Sequence, residues 1–189
     1  MRAFFCLPLD ADVRAGIARA AERIRREARV SASWVEPDNY HITLRFLGDI
    51  DPSSTVRLKG LATKVAGECG AFSIALREIG AFPSLDRARV LWVGGKAPDG
   101  FRALAESLNN SLADLGFPDE TKPAVAHVTI ARLKGAPDRG LGQIVEATGA
   151  LALRDCRPDH VLLMQSELTP RGARYTPLFS VRILGQPGA

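Results

Sequence analysis

Two short segments of this 189-residue chain share a pattern able to do acid–base chemistry: His41-Ile42-Thr43-Leu44 and His127-Val128-Thr129-Ile130. Both read histidine, apolar, threonine, apolar. On a strand, alternate side chains share a face. His41, Thr43 and Arg45 are therefore expected to point one way, with Ile42, Leu44 and Phe46 turned into the core. His127 and Thr129 share a face in the same manner, backed by Val128 and Ile130. The chain has three histidines and eight threonines, and random placement would give two or more His-x-Thr triplets in about 1 sequence in 200.

Imidazole titrates near neutrality, so one ring can be neutral while a second carries a proton. Displacement at the phosphorus of a cyclic phosphodiester needs such a pair, a base for the attacking oxygen and an acid for the leaving one. Two histidines on opposite sides of the phosphorus suit an in-line path. The threonine hydroxyls can donate to non-bridging phosphate oxygens, and an arginine can stabilise the charge that builds there. Either motif alone would read as a histidine at a sheet edge beside a β-favouring threonine; the pair points to chemistry. A metal site is a weaker reading. The only other histidine is His160, no His-x-x-x-His or carboxylate cluster accompanies the three, and Asp38 and Asp49 are expected in loops. No nucleophile elbow is present. No metal and no cofactor are expected, and His160, without a threonine two residues on, is expected to be structural.

The elements that must position these residues follow from periodicity. Strands are predicted over about 2–9, 40–47 (ended by Gly48-Asp49), 72–79, 89–93, 125–132, 160–168 and 175–184. Helices are predicted from a cap at Asp10 to about 29, over about 53–67, over 99–115 with a stop at Gly116, and over about 138–147. In the first helix Val13, Ile17, Ala20, Ile24 and Ala28 form the apolar stripe, and Arg19, Glu22, Arg23 and Arg26 form a solvated face. Thr169-Pro170-Arg171-Gly172 reads as a turn. The order strand, helix, His-x-Thr strand, helix, paired strands then recurs in rough form. The expected fold is α+β: two pseudo-symmetric lobes, each an antiparallel sheet with flanking helices, around a central cleft, all within one domain over 1–189.

Composition is that of a globular protein, 46% hydrophobic and 24% charged. No stretch approaches the ~20 apolar residues of a membrane helix. The N-terminus meets Asp10 and Asp12 too soon for a secretory signal. Cys6, Cys69 and Cys156 are odd in number and far apart, which fits small buried or half-buried hydrophobes in a reducing compartment. A cytoplasmic monomer with no membrane partner is expected. The formal charge of +4 and pI near 9.2 favour a polyanionic or phosphorylated partner.

These residues resemble the RNA 2′,3′-cyclic phosphodiesterase (2′-5′ RNA ligase) family of the two-histidine (2H) phosphoesterase superfamily. The resemblance runs through the opening strand, Trp34-Val35, Asn39, His41 to Gly48, Gly80-Ala81-Phe82-Pro83, Arg89 to Gly94, His127 to Arg132, Ser166 to Pro170 and Tyr175-Thr176-Pro177. It implies a two-lobed fold around a cleft, and hydrolysis of RNA 2′,3′-cyclic phosphate ends to 2′-phosphomonoesters without ATP or metal. A 5′-hydroxyl in place of water gives 2′-5′ joining. Carried over by position, His41 and His127 are the catalytic pair, with His127 activating water and His41 protonating the leaving oxygen; the roles swap in reverse. Thr43, Thr129 and Arg132 would hold the phosphate, with Arg45 standing where the family often has lysine. Two other departures are Ala126 for a common proline and Tyr40 for an aliphatic residue, which would pack or stack on a base.

In a regular strand Arg132 faces away from His127 and Thr129, so it must follow a bulge to reach a phosphate. Trp34 and Trp92 lie in apolar stretches and read as core rather than base-stacking residues. Arg87, Arg89, Arg171 and Arg174 could line an RNA path or be ordinary solvated cations. Two other functions fit the same residues: the same chemistry on a small cyclic or 2′-5′-linked nucleotide, and a basic RNA-binding module whose histidines are structural.

Overall fold

A computed structural model describes residues 1–135, 140–169 and 172–184. Among them the chain runs β1 (Arg2–Leu7), α1 (Ala11–Glu27), β2 (Ala32–Trp34), β3 (Ile42–Asp49), α2 (Thr55–Glu68), β4 (Glu78–Phe82), β5 (Val90–Gly94), α3 (Asp99–Ala113), β6 (His127–Leu133), α4 (Leu141–Thr148), β7 (His160–Thr169) and β8 (Gly172–Arg182). The strands form one antiparallel sheet in the order β4-β5-β6-β3-β1-β7-β8, with β2 also paired to β6. The α+β class and the antiparallel pairing expected from the sequence are thus present.

The sheet falls into two four-stranded halves, β3-β1-β7-β8 and β4-β5-β6 with β2. They meet at a single rung, Ile42 opposite Val128. So the two sheets anticipated from the sequence are continuous, and the junction lies inside the two histidine motifs themselves.

Helical stripes seat the helices as their spacing requires. Val13, Ile17, Ala20 and Ile24 of α1 are buried, as are Leu58, Ala62 and Val65 of α2 and Phe101, Leu104, Leu108 and Leu112 of α3. Burying each of the Val, Ile, Leu and Phe side chains stabilises by roughly 1.5–3 kcal/mol. α1 packs on α4, and α2 on α3 and β8. After α3, Gly116 takes φ +85° and its N–H closes on Ala113, the left-handed exit that favours glycine.

Two local expectations are corrected and one strand is added. Asp10 sits at the start of α1 but does not cap it; its carboxylate accepts from the backbone N–H of Arg157 at 3.2 Å. The strand expected over 72–79 is displaced to Glu78–Phe82, with Ile74 only bridging Cys156. Within it Gly80 faces the Trp92 indole, and a β-carbon there would overlap the ring. Lastly β2, three residues long, is too short for alternation to announce. The turn expected at Thr169 closes through a hydrogen bond of its hydroxyl to the Gly172 carbonyl at 2.7 Å, while Pro170 and Arg171 lie outside the described residues.

Candidate active site

The two histidine strands are alike residue by residue. From His41 to Leu47 and from His127 to Leu133, exposure follows one sequence: part-exposed, buried, part-exposed, buried, buried, exposed, part-exposed. Two consecutive buried residues break the alternation, and the strand pairing shows why. On β3, Cys6 pairs with Thr43 and Phe5 with Arg45, so Leu44 is an extra residue. On β6, Trp92 pairs with Thr129 and Leu91 with Ala131, so Ile130 is extra. A bulge therefore follows each motif threonine and reverses the facing of the residues just after it.

This settles the two arginines. Arg132 comes round to the side of His127 and Thr129, as the parity of the strand required of a phosphate ligand. Arg45 goes the other way. Its side chain is 8% exposed and pairs with Glu120 at 3.0 Å on the far side of the sheet, so it is not in the cleft with His41 and Thr43 as strict alternation predicted. Phe46 takes that place.

His41, Thr43, His127, Thr129 and Arg132 line one cavity of about 280 Å³, with Phe46, Phe82 and Tyr175 among its walls. Because β3 and β6 are antiparallel across the Ile42–Val128 rung, each histidine lies toward the other strand's threonine, a local two-fold arrangement. The lining includes no carboxylate or thiol among the described residues. His160 lies elsewhere, its ring 2.8 Å from Asp159. Tyr40 packs, 6% exposed, in the core.

Each ring is oriented in the same way. His41 Nδ1 donates to the Asn39 carbonyl at 2.7 Å, and His127 Nδ1 to the Val125 carbonyl at 2.9 Å. A carbonyl can only accept, so each Nδ1 keeps its hydrogen and Nε2 is left to gain or lose a proton. Aromatic rings complete the mounting. Tyr175 stands edge-on to His41 at 5.2 Å and Phe82 edge-on to His127 at 5.1 Å, both at 87°. Phe4 lies 4.8 Å from His41 and Trp92 6.5 Å from His127. Asn39 is itself fixed, its side-chain amide donating to the Ala173 carbonyl of β8 at 3.0 Å.

Burial is the main cause that pushes His41 down to about 4; the Asn39 carbonyl opposes it, and the charges of His127 and Arg132 add to it. His127 is lowered too, first by burial and then by Arg132, against the Val125 carbonyl. In the free protein both imidazoles are therefore neutral at pH 7.

Phe82, Asn39 and Tyr175 enter the sequence analysis only within the family resemblance, and Phe46, expected in the core, is instead 60% exposed at the cavity wall. Phe46 was within reach: the bulge required for Arg132, five residues after His127, applied at the same offset from His41 leads to Phe46 rather than Arg45.

The sequence and the fold both have counterparts among known proteins. A family model described as LigT-like phosphoesterase matches residues 7–92 and 95–175. The chain belongs to the LigT-like phosphoesterase family. Among curated relatives, the RNA 2′,3′-cyclic phosphodiesterase of Methanothermobacter thermautotrophicus is 31% identical over 97% of this chain and 99% of its own length. The protein of the same name from Archaeoglobus fulgidus is 33% identical over 94% of this chain and 98% of its own length. Among solved structures, the Thermus thermophilus protein TT0787 superposes with a TM-score of 0.83 at 28% identity, covering 99% of this chain and all of that one. E. coli LigT complexed with 3′-AMP gives 0.74 at 25% identity, covering 97% and 98%. Membership in the LigT-like family accords with a cleft lined by two imidazoles, side chains able to take up and give up protons.

Proposed function

We propose that this LigT-like protein is an RNA 2′,3′-cyclic phosphodiesterase that hydrolyses cyclic phosphate ends to 2′-phosphomonoesters. The observation that carries the reading is the pair of like-mounted histidines, each with Nδ1 tied to the carbonyl two residues before it, in one cavity with Arg132. Nε2 of His127 takes a proton from water as its oxygen bonds to phosphorus. The bond from phosphorus to O3′ breaks, and Nε2–H of His41 gives its proton to that oxygen. Thr43 and Thr129 donate to the non-bridging oxygens, and Arg132 balances the charge gathered there. The substrate itself charges the acid, since a phosphate anion beside buried imidazoles favours their protonated form and can bring His41 up from about 4. Phe46, 60% exposed at the cavity wall, offers a face for a terminal base.

With an RNA 5′-hydroxyl as the attacking group in place of water, the same displacement forms a 2′-5′ linkage. No helix among the described residues is long and apolar enough to cross a membrane, and RNA is the partner this reading requires.

The test is turnover of a short RNA ending in 2′,3′-cyclic phosphate, in excess EDTA, with 2′- and 3′-phosphate products resolved. Wild type is expected to give the 2′-phosphate, and His41→Ala and His127→Ala to give none. Binding without turnover, unchanged in both variants, would favour an RNA-binding module; turnover confined to small cyclic nucleotides would move the substrate class.

A further inference from the structure

Arg45 is the one buried charged side chain among the described residues, and it stands where the other half of the molecule has Ala131, fully buried. The bulge at Leu44 turns it through to the α3 side of the sheet. There its guanidinium spans to the segment that joins α3 to β6: Nη1 donates to Glu120 Oε2 at 3.0 Å, and Nη2 donates to the Pro118 carbonyl. Glu120 is held on its other side as well, its N–H donating to Asn109 Oδ1 at 3.2 Å and its Oε1 accepting from the Lys122 N–H at 3.4 Å. Arg45 also shares a cavity wall with Pro123 and Ala124. The next residue is Val125, whose carbonyl orients His127.

Resting on the two-histidine reading above, we propose that Arg45 is a positioning residue for His127: the first motif strand holds the loop that aims the second motif's histidine. The two mountings then differ in source. His41 gets its carbonyl from Asn39, clamped to β8 within the same half of the sheet. His127 gets its carbonyl from Val125, on a segment with no strand of its own; its own half holds the chain at the next residue, where the Gly95 N–H donates to the Ala126 carbonyl at 3.2 Å, and Arg45 adds a hold from β3 of the opposite half. A guanidinium this enclosed, paired with a carboxylate that is itself 44% exposed, has to offset the cost of leaving water, and its packing would be served as well by an apolar side chain. What an apolar side chain cannot supply is the fixed reach to two separate acceptors on the loop, which a planar guanidinium does.

The experiment compares Arg45→Met, Arg45→Lys and Glu120→Ala with wild type. It uses turnover of the cyclic-phosphate RNA, thermal melting, and 15N NMR of the two cleft imidazoles. Met fills the volume without the reach, and Lys restores the charge with one donor group. A misaimed base costs about ten- to a hundredfold in kcat. That loss is expected in Arg45→Met and Glu120→Ala, with KM within about twofold because Thr43, Thr129 and Arg132 are untouched, and with partial recovery in Arg45→Lys. The His127 ring is expected to lose its single Nδ1–H tautomer while His41, clamped separately, keeps its own. A lowered melting temperature with both tautomers and kcat per folded molecule unchanged would overturn the proposal and leave Arg45 a packing residue. Should wild type fail to turn over the RNA, the functional reading fails, and the NMR comparison still decides whether Arg45 orients His127.

Discussion

Phe46 and Arg132 occupy equivalent positions on the two histidine strands. Each lies five residues after its histidine, is brought into the cleft by a bulge one residue past the motif threonine, and lines the same cavity. One half of the site thus ends in a cation and the other in an aromatic face, and the approximate two-fold symmetry is broken where a nucleotide is itself asymmetric. Arg132→Ala is expected to lower kcat by about a hundredfold, since it removes charge stabilisation at the phosphate. Phe46→Ala is expected to raise KM by roughly five- to a hundredfold with kcat little changed, the worth of one stacked base. Steady-state kinetics on one RNA substrate separates the two; equal effects on kcat would count against this division.

The pH dependence follows from the directions of the two shifts. The mechanism proposed above needs one imidazole neutral and one protonated. Both are lowered in the free protein, His41 to about 4, so the competent mixture of free enzyme lies on the acid side of 6.5. A bound phosphate anion favours imidazolium and raises both. The bell-shaped profile of kcat is therefore expected at higher pH than that of kcat/KM, measured from about pH 4 to 9. Coincident profiles, or a flat one, would argue against buried neutral histidines.

Stability should carry the same signature. The folded state resists a proton on His41 that the unfolded chain accepts at its ordinary 6.5. The stability this represents is present above pH 6.5 and lost as pH falls toward 4, amounting to roughly 3 kcal/mol. Urea unfolding at about pH 7 and pH 4.5 should show a smaller acid loss in His41→Gln than in wild type. An equal loss would mean that His41 is not desolvated in the folded protein.

Asn39 links the two sides of the first mounting, its carbonyl on His41 and its side chain on Ala173. Asn39→Ala frees the turn while leaving the carbonyl in place. A loss of about tenfold in kcat is expected, with the His41 tautomer no longer unique by NMR and His127 unaffected.

Gly80 tests the wall behind His127. A β-carbon there would overlap the Trp92 ring, and Trp92 and Phe82 are the aromatics nearest His127. Gly80→Ala is expected to destabilise by about 1–3 kcal/mol and to lower kcat, seen by melting and turnover on the same preparation.

Much of this was legible in one dimension. The alternation through His41–Thr43 and His127–Thr129 is a property of extended chain, so the sequence alone put each histidine and its threonine on one face, and the helical stripes of α1, α2 and α3 follow from 3.6-residue spacing in the same way. The free and largely buried state of the three cysteines was also legible. What lay beyond the motif threonines was decided by tertiary structure. Whether Arg45 or Phe46 enters the cleft depends on an extra residue opposite β1, and whether Arg132 returns depends on one opposite β5; a bulge is a relation between two strands, and neither strand's own pattern contains it. The edge-on rings of Tyr175 and Phe82, the Asn39 clamp and the reach of Arg45 to Glu120 likewise join residues 45 to 134 positions apart. Local periodicity fixed which residue types stand together on a strand face, and cross-strand register fixed which of them line the cleft.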